Sequence, residues 1–158
     1  MHLNHVDISL SVQPIERIYE LVIRKGVFEE ILSHVKEEYP IEACGILLGH
    51  VREGKGFAER AKRLRNILAS NTSFWFDVRE WMSAILDARK EGLSYIGLYH
   101  SHGREQPLPS LSDQHRMLEC PGEVWLIVAY IPDSEPKAAA YRIDDFGSAI
   151  ARVSVKII

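Results

Sequence analysis

A chain of 158 residues with 46% apolar and 26% charged side chains is long enough to bury one continuous core and too apolar to stay disordered. Its formal charge of −3 provides no global basic field, so charge makes no case for a nucleic-acid partner. Two cysteines, Cys44 and Cys120, form neither a disulfide framework nor a CxxC pair, and no apolar run approaches the roughly 18 residues of a membrane span. The expected setting is therefore the cytoplasm, without membrane or nucleic acid, and with Cys44 as a core thiol.

Residues 1–20, with weak periodicity and a proline at position 14, are expected to form an N-terminal extension, an arm or a strand added at an edge, with the domain proper over 21–158. His2 and His5 in that extension are expected at the surface. LVIRKG predicts a short strand, after which Val27, Phe28, Ile31, Leu32 and Val35 recur at helical spacing until Pro40, with His34 as a surface residue of the helix. EACGILLGHV predicts a buried strand over 43–51, GKG a turn, and FAERAKRLRNIL a returning strand whose basic run at 59–66 reads as a solvated rim.

Phe74 and Trp75 read as consecutive strand residues facing opposite sides, which would leave one aromatic exposed and is the only basis for expecting a homodimer. Asp77 and Glu80 have capping-box spacing ahead of an apolar stripe of Trp81, Ile85 and Leu86, and Gly92 closes that helix. SYIGLYHSH predicts a strand, SLSDQHRMLEC a helix, and EVWLIVAYI a fully apolar strand. AAAYRID and AIARVSVKII supply two more strands around the turn DDFG. The sum is an α/β domain with one mixed sheet between helices.

The chemistry collects at GLYHSHGREQPLPSLSD. Residues two apart in a strand share a face, so His100 and His102 project together while Ser101 points away. Two imidazoles on one face can share a metal, and a carboxylate at a helix start, Asp113, would make a three-donor set with a fourth position open to water. Taken singly, each piece has an ordinary reading, since Ser110 and Asp113 also have capping-box spacing and Pro107 and Pro109 are common loop residues. Upstream, Glu42 heads a buried strand, where an isolated carboxylate is costly unless it is hydrogen-bonded or used, and water activated by a metal needs a general base that is not itself a ligand.

Together these residues resemble the JAMM metalloproteases built on the MPN domain: an upstream glutamate in PIEACGILLG, then HSH, seven residues over 103–109, and SLSD. The resemblance spans about residues 21–158 and implies the MPN fold, related to cytidine deaminases, with a mixed β-sheet flanked by α-helices. By the same resemblance His100, His102 and Asp113 bind Zn2+, Glu42 is the acid/base, and Ser110 donates a hydrogen bond to the developing oxyanion. The implied activity is that of a zinc-dependent isopeptidase of compact archaeal or prokaryotic type. It would remove a ubiquitin-like modifier with a C-terminal diglycine tail from target proteins. The alternative is a peptidase acting on the C-terminus or cysteine adduct of a sulfur-carrier protein. One departure is visible, Gly103 where many relatives have proline, which is expected to loosen the loop.

Overall fold

A computed structural model describes residues 17–158; residues 1–16, which hold most of the expected extension together with His2 and His5, lie outside the described residues. The described elements run β1 (Glu20–Ile23), α1 (Lys25–Glu38), β2 (Cys44–Arg52), β3 (Lys55–Leu64), α2 (Val78–Lys90), β4 (Ser94–His102), α3 (Leu111–Glu119), β5 (Val124–Ala129), β6 (Lys137–Ile143) and β7 (Ile150–Ile157). The described residues form an α/β fold with a mixed seven-stranded sheet. The expected mixed sheet is present, but it closes into a barrel in the order β1, β3, β2, β4, β5, β6, β7. Closure comes from β1, which pairs in parallel with β3 on one side and with β7 on the other, joining what would otherwise be two free edges.

Alternation along the strands feeds two hydrophobic clusters. Ile46, Leu98, Trp125 and Ile127 pack with Ile85 of α2 and Met117 of α3, while Leu21, Leu47, Tyr99 and Leu126 pack with Ile18 and with Val27, Ile31 and Val35 of α1. β4 is buried on both faces, as its apolar run demands, and it is held between antiparallel β2 and parallel β5. A Cβ added at Gly97 would lie 1.8 Å from the Val124 carbonyl oxygen, so the approach of β4 to β5 requires glycine there.

Three details differ from the sequence reading. His34 is buried, because its imidazole finds a partner that local periodicity cannot reveal: Nδ1 shares a 2.7 Å hydrogen bond with the Tyr99 hydroxyl, 65 residues away. Phe74 and Trp75 lie in an irregular segment, and neither offers a free aromatic face: Phe74 is buried, and the Arg116 guanidinium covers Trp75 at 3.8 Å. That pair thus lends no support to a homodimer. Third, Asp77 caps α2, but its side chain accepts from the Arg79 N–H and not from that of Glu80, the box partner the spacing offers. The basic run of β3 faces solvent and carries ion pairs of Arg60 with Glu91 and Arg63 with Glu37. Both cysteines are free, and burial pushes each thiol up to about 12.

Candidate metal centre

β4 ends at His102, and its pleat puts His100 and His102 on the face toward α3 while Ser101 points to the other. The two Nε2 atoms are 3.1 Å apart. α3 begins just beyond the connecting loop, with Ser110 as its N-cap, and a full capping box fixes Asp113: Ser110 Oγ accepts from the Asp113 N–H at 3.1 Å, and Asp113 Oδ2 accepts from the Ser110 N–H at 2.9 Å. The capping box is therefore also the device that aims a carboxylate at the histidines. Asp113 Oδ2 stands 3.1 Å from His100 Nε2 and 3.0 Å from His102 Nε2.

These three atoms form a nearly equilateral triangle. Three ligands of a tetrahedral ion, with bonds of about 2 Å, stand about 3.3 Å apart, so the donors have the spacing, chemistry and burial that a metal such as zinc requires. All three residues are buried, and His100 is fully so. Burial, the largest influence on His100, favours its neutral form, which is the form that ligates metal. Burial alone would raise the Asp113 carboxyl, but hydrogen bonds from His100 and His102, the charge of His100 and the Ser110 N–H outweigh it and hold Asp113 well below the usual carboxylate range.

Glu42 arrives from the loop before β2, where pairing of Cys44 with His100 brings the two strands side by side. Its carboxylate reaches within 4.8 Å of the ligand atoms of both histidines and could itself complete a three-donor set with them. Two carboxylates thus converge on one pair of imidazoles, Asp113 within hydrogen-bonding distance and Glu42 also at hand. Burial pushes the Glu42 carboxyl up to about 7; the His102 charge opposes this, Asp113 adds to it and Arg104 opposes it. A carboxylate near 7 is suited to taking and returning a proton at neutral pH. Ser110 uses its oxygen to accept from the Asp113 N–H, which leaves the hydroxyl hydrogen free to donate.

Every residue singled out from the sequence as a ligand or catalyst lies in this one cluster. Two further histidines lie apart from it: His115 is exposed on α3, and His34 lies on the Tyr99 side of the sheet. Sequence reading missed what supports the site. Phe74 stacks on His100 at 4.3 Å between ring centroids with planes 21° apart, and Trp125 meets the same ring edge-on at 5.5 Å. Ser101 Oγ accepts from the Ala43 N–H at 2.8 Å, tying the middle of HSH to the segment that carries Glu42. The consecutive aromatics of SFWF were the available signal for the first. Nothing local signals the second.

Residues 24–144 match the model of the prokaryotic homologs of the JAB domain. The chain is similar to a desampylase of Pyrococcus furiosus, 33% identical over 108 residues, covering 68% of this chain and 73% of the relative. It is also similar to a CysO-cysteine peptidase of Mycobacterium tuberculosis, 27% identical over 141 residues, covering 89% and 93%. A protein from Desulfitobacterium hafniense solved in solution superposes with a TM-score of 0.78 at 28% identity, covering 87% of this chain and 92% of that one. With the strand-end histidine pair, the two converging carboxylates and a family match over most of its length, this chain belongs to the prokaryotic homologs of the JAB domain.

Proposed function

We propose that the protein is a zinc-dependent isopeptidase that releases a small ubiquitin-like modifier from lysine side chains of target proteins. The observation that carries this reading is the triangle of His100, His102 and Asp113 with the raised Glu42 carboxylate beside it. His100, His102 and Asp113 would hold Zn2+, which when bound acidifies water and polarises a carbonyl. Glu42 takes the proton of the attacking water and returns it to the leaving amine. Ser110 turns its free hydroxyl hydrogen toward the oxygen that gains charge; loss of such a donor typically costs roughly 10²- to 10³-fold in turnover.

Burial of the histidines restricts what can approach. A C-terminal diglycine tail, with no side chains, is slender enough to bring its last carbonyl to such a site, which supports a modifier of that kind. The names of two relatives, a desampylase and a CysO-cysteine peptidase, point to the same class of hydrolysis.

A second reading has its own observation. Arg104 is exposed two residues beyond His102, and its charge acts on Glu42. A leaving cysteine bears an α-carboxylate next to the scissile nitrogen, whereas a lysine side chain does not, so this cation favours a cysteine adduct of a sulfur-carrier protein. Incubation of the zinc-loaded protein with a modifier–lysine conjugate and with a carrier–cysteine adduct separates the two. Faster release of lysine supports the isopeptidase, and faster release of cysteine that is lost in Arg104→Ala supports the second reading. Cleavage of neither removes both.

A further inference from the structure

Glu42 precedes β2, so its main chain has no ladder partner, and its place depends on other contacts. Its N–H donates to the Ser70 carbonyl at 2.9 Å, and its carbonyl accepts from Asn66 Nδ2 at 3.0 Å. Asn66 is used at both ends of its amide. Nδ2 also donates to the Ser73 carbonyl at 3.0 Å, while Oδ1 accepts from the N–H groups of Leu68 at 3.1 Å and Trp75 at 3.3 Å. Carbonyls face one end and N–H groups the other, so the partners themselves dictate the orientation of the side chain.

The segment that Asn66 organises touches Glu42, His100 and the helix that carries Asp113. Through Asn66 and Ser70 it holds Glu42, through Phe74 it stacks on His100, and through Trp75 it meets Arg116 of α3, the helix that carries Asp113. The Asn66 amide is the point at which this brace grips the Glu42 main chain.

We propose that Asn66 is a positioning residue for Glu42: its side-chain amide fixes the Glu42 main chain against the histidine pair and so sets the point from which the carboxylate moves its proton. The inference rests on the reading of Glu42 as the acid/base. The bond from Asn66 Nδ2 goes to the Glu42 carbonyl, while the Oδ1 bonds support the Phe74–Trp75 segment beside His100, so loss of the donor alone leaves the metal in place. A displacement of about 1 Å at a reacting group can cost about 10²-fold in rate.

Asn66→Asp is the discriminating variant. It keeps an oxygen for the Leu68 and Trp75 N–H groups and removes the donor that faces the Glu42 carbonyl. Expected are a kcat lower by about 10- to 100-fold, a KM within about twofold of wild type and an unchanged zinc content. Adding the substitution to Glu42→Gln should cost nothing further, because a residue acting through Glu42 has nothing left to position; a merely structural role would add its cost. Asn66→Ala is the second variant, judged by the same measures. A folded, zinc-replete Asn66 variant with wild-type kcat overturns the inference. So does one whose zinc or KM changes together with kcat, and failure of both variants to fold assigns Asn66 to stability alone. If Glu42→Gln itself cleaves normally, the reading of Glu42 fails first; if it is inactive while the Asn66 variants are normal, only the positioning role fails.

Discussion

Two buried glutamates lie near opposite ends of β4, Glu42 beside the His100 end and Glu123 beside the Tyr95 end, and burial pushes both carboxyls up to about 7. Their neighbours differ. Glu42 meets two imidazoles, a second carboxylate and the charge of Arg104. Glu123 is hydrogen-bonded by the Tyr95 hydroxyl and the Cys120 thiol, and Trp81 Nε1 donates to that same hydroxyl at 3.3 Å. A raised carboxyl is thus no mark of a reactive site by itself. What separates the two ends is a triangle of donor atoms at metal spacing, present at one and replaced at the other by hydrogen bonds that only satisfy a buried group.

The comparison predicts its largest contrast for His102→Ala against Glu123→Gln. The first should lose zinc, by metal analysis of the purified protein, and fall to background hydrolysis; the second should keep its zinc and turn over within about twofold of wild type. Equal losses in the two variants would erase the distinction between the ends. Gly97→Ala tests what joins them. A methyl 1.8 Å from a backbone oxygen forces β4 away from β5, so both ends should suffer, with a thermal midpoint lower by several degrees and weaker zinc retention.

Glu123 also makes a pH prediction. Its carboxyl titrates near 7 in the folded chain and near 4.5 in the unfolded one, so between these values the folded state binds more protons. The stability it contributes is fully present below about 4.5 and is lost as pH rises through about 7, an amount on the order of a few kcal/mol. His34, lowered to about 4 chiefly by burial, with Arg63 adding and Glu37 opposing, acts in the other sense: its contribution is present above about 6.5 and is lost as pH falls toward 4. The difference between wild type and Glu123→Gln isolates the first effect. The midpoint of wild type should drop more steeply than that of the variant between pH 5 and 8. The smallest expected change is at Gly103, where an added Cβ meets only Tyr39 at an ordinary 3.5 Å; Gly103→Ala should alter turnover by less than about twofold.

Much of this was legible in the sequence because it is written in short-range spacing. The alternation of SYIGLYHSH places two imidazoles on one face, and Ser110 three residues before Asp113 defines a helix start, so the approach of a carboxylate to a strand end follows from local rules. Closure of the sheet was not legible. It depends on β1 finding β3 and β7, and pairing between distant segments leaves no periodic trace. The same holds for His34, whose burial depends on Tyr99, for Glu123 with Tyr95, and for Asn66, whose partners lie up to 24 residues away. Polar residues that are buried because a remote partner satisfies them look like surface residues until the fold is known.

The central claim is that Glu42 moves the proton while the other three residues hold the metal. Its most direct test is the turnover of zinc-loaded Glu42→Gln on a modifier–lysine conjugate or carrier–cysteine adduct that the wild type cleaves. The amide keeps the shape of the side chain and removes its basicity, so turnover should fall by about 10²- to 10⁴-fold with zinc at the wild-type level. Wild-type turnover in that variant, or loss of its zinc, would contradict the assignment.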